Sequence, residues 1–552
     1  MTTVATCIVE RPPTMATFGP SLWGDTFSAF SLDDKVQETY AQAIEELKKE
    51  VRENQMVATN SGQQIIILID AIERLGLAYH FAKEIEEKIK QFHDQFYKNY
   101  AENEEDLVTI ALGFRLLREH HYHVSSGVFA KFMNKDKKFE ETLIDDVEGL
   151  LNLYEAAHIR THGEDILEEA VAFTTHHLNR VLPQLESPIK DKVKRALEHP
   201  VHKAVLIIEA RLYISIYEKD ESRDEVLLKL AKLNFNYLQN LYKDELSQLS
   251  RWWSKLDLKS KLVPYARDRL IECFFWGVAF QYEPEYSEVR IAFAKSMQMV
   301  STIDDTYDNY ATLEEAQLFS EILERWNKDE IGQLPDFMKN IYQFIMSVYE
   351  DYESDATKHG KSFAIPHFRE SVKQLAWAYN KELKWIVKRE LPSFEEYYEN
   401  SVTTSCVYVM FTAHFPGMKS VTKETVDWLL SEPKIVITTA KTGRYYDDLG
   451  THEREHKGGE KLTVMDCYMK EHGVSRQEAV SKFFELVEEG WKDLNTEWIT
   501  KTYTVPEEML VQLLNYVRVA KVTYNNGQDG YTNPQKVLGP YILALFVDPV
   551  VV

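Results

Sequence analysis

The sequence predicts an all-α fold in two helical parts, and three observations predict it. Stretches rich in Glu, Lys, Leu and Ala recur along the chain, as at residues 40–55, and these are strong helix formers. Apolar residues return at spacings of three and four. Ile65, Ile66, Leu68, Ile69, Ile72, Leu75 and Leu77 mark one face with a stop near Gly76, and Leu143, Val147, Leu150, Leu151 and Tyr154 mark another. Finally, 21 Gly and 17 Pro in 552 residues are too few for a sandwich of short strands with a turn after each.

Taken in order, the chain opens on an irregular leader, residues 1–30, carrying Arg11-Pro12-Pro13 and Trp23-Gly24-Asp25. Helical patterning begins near Ser31. The polar stretch 218–225 (EKDESRDE) reads as a solvated connection, which divides an N-terminal domain, 31–222, from a second, 223–552. In the second part, 434–442 is rich in β-branched residues and by propensity alone reads as a strand. Residues 525–530 (NNGQDG) form the strongest turn signal and are expected to be a mobile loop. No fixed-period repeat or low-complexity tract is present.

Composition removes several function classes. A formal net charge of −24 argues against nucleic acid, which is bound by basic surfaces. It also means that an anionic substrate needs cations between it and the protein. Cys7, Cys273, Cys406 and Cys467 show no CxxC spacing, so a disulfide framework is not expected and a reducing compartment fits. The apolar run 541–547 is too short to cross a bilayer. Residues 1–10 lack the features of a signal or transit peptide, so the expectation is a cytoplasmic protein.

The chemistry concentrates in the second half. In Asp304-Asp305-Thr306-Tyr307-Asp308, helical spacing puts Asp304 and Asp308 on one face with Asp305 beside it. Three carboxylates so close repel unless a cation lies between them, and an oxygen-only set favours Mg²⁺. An acid-rich chain can also produce this pattern on a solvated face, but Phe293, Met297, Met299, Val300 and Ile303 place a buried helix before it. Asp447, Thr451 and Glu455, at i, i+4 and i+8, form a second stripe able to hold a further ion from one helix. Arg267 and Arg269 flank Asp268. At i and i+2 they can face one ligand only from a loop or a frayed helix end. Arg444 lies three residues before Asp447, and guanidinium groups suit phosphate oxygens. Trp276, Tyr524 and Tyr531 offer aromatic faces that stabilise a cation without trapping it, although aromatics at such spacings also serve as plain core. His120, His121 and His123, with His176 and His177, raise a zinc site. Their spacing is poor for one ion and no acidic or Cys partner sits at ligand spacing in the sequence.

These residues, in this order, resemble the plant class I terpene synthases of the angiosperm sesquiterpene type. The likeness runs from Arg11-Pro12 and Trp23 through Arg267-Asp268-Arg269, the DDxxD at Asp304 and the DDxxTxxxE at Asp447 to Asp529-Gly530-Tyr531. The resemblance implies a non-catalytic N-terminal α-barrel-like domain and a C-terminal class I helical bundle, with residues 434–455 helical against the propensity reading. It implies three Mg²⁺, with Mn²⁺ as a substitute: Asp304, Asp305 and Asp308 would bind two ions, and Asp447, Thr451 and Glu455 the third. Arg267, Arg269 and Arg444 would hold the leaving diphosphate. Trp276, Tyr524 and Tyr531 would line the pocket, Asp529 would sit near both tyrosines, and Thr403, Thr404 and Ser405 would form a helix break whose carbonyls face the cation. Gly458 stands where relatives often carry a basic residue. At Leu143-Ile144-Asp145-Asp146 the first position of a DxDD acid motif is Leu, so protonation-initiated chemistry is not expected.

The function implied is ionisation of farnesyl diphosphate and cyclisation to a C15 hydrocarbon or alcohol with release of diphosphate, in a monomer with an isoprenyl diphosphate as its partner. Open alternatives are a monoterpene synthase using geranyl diphosphate, a chain-elongating synthase (here the second acidic motif reads DDxxT, not DDxxD), an inactive relative and a non-catalytic helical scaffold.

Overall fold

The computed structural model describes residues 18–57, 59, 61–101, 106–262, 265–457, 463–501 and 503–552, and omits the side chains of 97–101, 453–457 and 526. Among the described residues there is no strand, only an isolated antiparallel bridge between Met133 and Phe139. The chain clusters into two compact units.

One unit comprises Leu32–Tyr242, Glu488–Thr504 and Leu543–Val552. Its helices are α1 (Asp34–Val51), α2 (Gly62–Arg74), α3 (Ala82–Ala101), α4 (Leu107–Glu119), α5 (Val147–Ala157), α6 (Asp165–Val181), α7 (Ile189–Glu198) and α8 (Leu206–Tyr217). The apolar face expected around Ile65–Leu75 is the buried side of α2. The pattern beginning at Leu143 is not one helix. Asp146 accepts from the Gly149 amide at 2.8 Å and starts α5 at Val147, leaving Leu143 in a preceding 3₁₀ turn. Leu150, Leu151 and Tyr154 then pack with Leu178, Val193 and Ala196. Charge is buried here in compensated form: Arg118 binds Glu164 at 2.5 and 2.7 Å and the Val124 carbonyl at 2.7 Å. His120 pairs with Glu73 at 2.7 Å and His121 donates to the Trp498 carbonyl, so these histidines already serve protein contacts.

The other unit comprises the described part of Met1–Ser31, Lys243–Val487 and Val505–Ile542. Its helices are α10 (Lys259–Leu262), α11 (Leu270–Phe280), α12 (Ser287–Asn309), α13 (Leu313–Arg325), α14 (Asp336–Lys358), α15 (Ile365–Lys388), α16 (Phe394–Thr404), α17 (Val407–His414), α18 (Lys423–Leu430), α19 (Lys434–Lys457), α20 (Val464–His472) and α22 (Glu507–Thr523), while the residues of α9 (Glu225–Lys255), α21 (Arg476–Thr500) and α23 (Leu538–Phe546) are divided between the two units. Every residue of α11 is buried, as expected for a helix apolar on all sides. Around it lie α12 and α22, while α12 also packs on α15 and α17, and α19 on α16 and α22. Arg290 of α12 and Glu245 of α9 form a fully buried pair at 2.6 and 2.8 Å, and the remaining guanidinium NH of Arg290 donates to the Gln281 and Glu283 carbonyls. The β-branched run 434–442 is helical, the first turns of α19.

Candidate active site

The last two turns of α12 carry the first acidic wall. Asp304 and Asp308 are partly exposed, whereas Asp305 is 1% exposed. Both Asp305 oxygens are engaged: one accepts from the Arg267 amide at 2.7 Å and its Nε at 3.1 Å, the other from Asn309 at 3.2 Å. Asp304 takes a second Arg267 nitrogen at 2.7 Å. Residues 267–269 are irregular, just before α11. Burial works against the Arg267 charge, and Asp305 and Asp304 more than offset it, so its pKa stands well above the ordinary range. The Arg267 guanidinium also lies 5.1 Å from the ring centre of Tyr531 and 5.4 Å from that of Phe18.

The second wall is on α19. Arg444 binds Asp447 at 2.8 Å and lies 3.7 Å from Asp448. One turn on, Thr451 is 4% exposed, and its hydroxyl is buried with no hydrogen-bond partner among the described residues. The Glu455 side chain, Gly458 and the side chains of Arg454 and Lys457 lie outside the described residues, as do Arg11 and Pro12. Gly450 lets the C-terminal loop close on this helix, since a Cβ there would stand 2.8 Å from the Tyr524 Cβ and 3.1 Å from the Gln528 carbonyl. Residues 525–527 make one 3₁₀ turn. The Asp529 carboxylate then accepts from the Tyr531 and Thr532 amides at 3.1 and 2.8 Å.

The walls face one cavity. Arg267, Trp276, Asp304, Asp305, Asp308, Thr404, Ser405, Arg444, Asp447, Thr451, Tyr524, Asp529 and Tyr531 all line it. Beside the acids and arginines the lining is aromatic and aliphatic, with Trp276, Tyr516 and Tyr524 next to Met297, Val300 and Met410.

Two family models match this chain: the terpene synthase N-terminal domain over residues 22–197 and the metal-binding domain of the terpene synthase family over 254–493. Gamma-cadinene synthase of Ocimum basilicum is 53% identical over 544 residues, covering 98% of each chain. The chain belongs to the terpene synthase family. Tau-cadinol synthase of Lavandula angustifolia is 51% identical, covering 99% of each. Isoprene synthase from grey poplar, solved with three Mg²⁺ ions and dimethylallyl-S-thiolodiphosphate, superposes with a TM-score of 0.88 at 31% identity, covering 94% of this chain and 98% of that one.

Terpene synthases are enzymes acting on isoprenyl diphosphates, and their metal-binding domain implies a divalent ion. The donors present fit one: carboxylates of Asp304, Asp308 and Asp447, and the unpartnered hydroxyl of Thr451, are hard oxygens. Among the described residues no three His, Cys, Asp or Glu side chains are poised around one point; Arg267 lies on Asp304 and Arg444 on Asp447.

Two of the expected residues in this terpene synthase lie off the cavity lining. Arg269 donates to the Tyr531 and Thr532 carbonyls at 3.0 and 2.9 Å, so it holds the C-terminal loop. The Thr403 carbonyl is taken by the Cys406 amide at 3.0 Å. Glu382 was missed by the motif reading. It reaches the cavity from α15, accepts from Thr404 at 2.8 Å and Asn400 at 3.2 Å, and burial pushes it up to about 7. A single Glu in a helix full of Lys and Glu carries no signal; only packing selects it. Tyr516 was missed for the same reason.

Proposed function

We propose that this enzyme ionises farnesyl diphosphate and cyclises the cation to a C15 hydrocarbon or alcohol. The observation that carries the reading is that the acidic walls on α12 and α19 line one shared cavity together with Trp276, Tyr524 and Tyr531. The relatives named for cadinene and cadinol, which are sesquiterpene synthases, support the chain length. The isoprene synthase complex, with its three Mg²⁺, supports three ions here. Asp304 and Asp308 would hold two, and Asp447, Thr451 and Glu455 the third, with Mn²⁺ able to substitute. When bound, these ions neutralise the diphosphate and make it a leaving group.

The chain's own residues do the rest. Arg267 and Arg444 turn from their aspartates to the diphosphate oxygens. Asp305 keeps the Arg267 backbone in place, and Arg269 ties that segment to the Tyr531–Thr532 carbonyls, so the arginine and the loop close together and exclude water. Trp276, Tyr524 and Tyr531 face the migrating charge. The catalytic part lies in 223–552, with residues 31–222 non-catalytic, and the enzyme acts as a cytoplasmic monomer. No described helix is long and apolar enough to cross a membrane.

The test is gas chromatography–mass spectrometry of products from farnesyl and geranyl diphosphate with Mg²⁺ and with EDTA. Metal-dependent cyclic C15 products are expected. Turnover of geranyl but not farnesyl diphosphate would overturn the chain-length assignment.

A further inference from the structure

Between α16 and α17 the helix breaks at Cys406, whose φ of +63° is left-handed. A break leaves carbonyls without helical partners, and most here are closed locally. The Ser401 carbonyl takes the Ser405 amide at 2.9 Å, Thr403 takes the Cys406 amide, and the Val402 carbonyl takes the Ser405 hydroxyl at 2.7 Å. The Ser405 carbonyl is different. Its donor comes from another helix, the Tyr516 hydroxyl of α22, at 3.0 Å.

Tyr516 is 4% exposed and lines the cavity beside Ser405. Its ring is held edge-on by Trp276, with centroids 6.2 Å apart. Room for it exists because residue 443 is glycine: a Cβ there would come within 2.9 Å of the Tyr516 Cζ and hydroxyl oxygen. Gly443 is one residue before Arg444, so the helix carrying the second acidic wall is shaped around this ring.

A carbonyl oxygen at the edge of an apolar pocket is a fixed partial negative charge. If free, it stabilises positive charge near itself; if it accepts a hydrogen bond, the positive end of the donor O–H dipole offsets part of its field in the pocket. We propose that Tyr516, seated through Gly443, is a positioning and product-determining residue that sets how strongly the Ser405 carbonyl acts on the cation. This rests on the cyclase reading above. It concerns the course of the cation after ionisation, not substrate capture.

The experiment compares Tyr516→Phe, Gly443→Ala and Tyr352→Phe. Tyr352 donates to the Thr412 carbonyl at 2.8 Å, equally buried but off the cavity lining, and reports the effect of losing such a bond for purely structural reasons. Products are quantified with whichever isoprenyl diphosphate the wild type turns over, alongside KM for that substrate and for Mg²⁺. Expected for Tyr516→Phe is a change of about threefold or more in the ratio of the major products, with both KM values held and kcat lowered. Gly443→Ala, which pushes the ring aside, should shift the ratio in the same direction, and Tyr352→Phe should leave it alone. An unchanged ratio in Tyr516→Phe, or an equal change in Tyr352→Phe, overturns the proposal while leaving the cyclase reading intact. A wild type that turns over no isoprenyl diphosphate overturns both.

Discussion

At Arg267 one residue meets several demands: its backbone amide and Nε lie on Asp305, a second side-chain nitrogen on Asp304, a third on Thr532, and the guanidinium carbon is 5.4 and 5.1 Å from the ring centres of Phe18 and Tyr531. Lysine keeps the charge but loses the fork. Arg267→Lys should therefore lower kcat/KM for the diphosphate substrate by about 100-fold, on the order of 3 kcal/mol, with melting temperature little changed; steady-state kinetics beside a thermal melt checks both. His414 poses a different problem. It is fully buried, stacked on Phe293 at 4.7 Å, and neither ring nitrogen has a partner among the described residues. Burial lowers its pKa from 6.5 to about 3. The unfolded chain thus takes up this proton below about pH 6.5 and the folded chain does not until about pH 3, so stability falls as pH falls through that window. His414→Phe should remove about 2 kcal/mol of the loss between pH 7 and pH 5. Denaturant melts of both proteins at the two pH values measure it, and equal losses would refute it.

At the scale of the element, α19 shows why local preference yields. Ile435, Val436, Ile437, Thr438 and Thr439 favour a strand, but the helical penalty is only about 0.5 kcal/mol per residue. Burying a side chain such as Ile435 or Val436, which are 1% and 0% exposed, is worth about 1.5–3 kcal/mol. Tertiary packing therefore wins, and the helix delivers Arg444, Asp447 and Thr451 to one stripe. The Arg290–Glu245 pair joins α12 to α9 with both charges fully buried. Arg290→Met alone strands a buried carboxylate and should cost about 3–5 kcal/mol. Arg290→Met with Glu245→Met should recover most of it in chemical denaturation, and a double variant no better than the single would sink the idea.

For the whole molecule, an acid excess of 88 over 64 basic residues opposes the approach of an anionic substrate, and bound cations offset that repulsion. Ligands that bind only the native state stabilise it by mass action, about 2.7 kcal/mol at a hundredfold excess over Kd. Mg²⁺ with inorganic diphosphate should raise the melting temperature well above either alone, and Asp304→Asn with Asp308→Asn should abolish that rise. A rise with diphosphate alone, without metal, would count against the metal bridge.

The sequence by itself determined the helical class, the two acidic stripes, the paired arginines on a non-helical segment and the family, because each is written in spacing along the chain. Arg267, Asp304 and Asp447 were legible for that reason, and Tyr531 through the family resemblance. Tertiary structure alone decided the partners of these groups: Asp305 accepts from the Arg267 backbone and Asn309, Arg269 donates to loop carbonyls, and the Thr451 hydroxyl has no partner among the described residues. It also brought Glu382 and Tyr516 to the cavity from helices with no motif. Spacing fixes which face of a helix a residue occupies, but contacts between helices far apart in sequence depend on how buried faces pack, and that is a property of the folded chain.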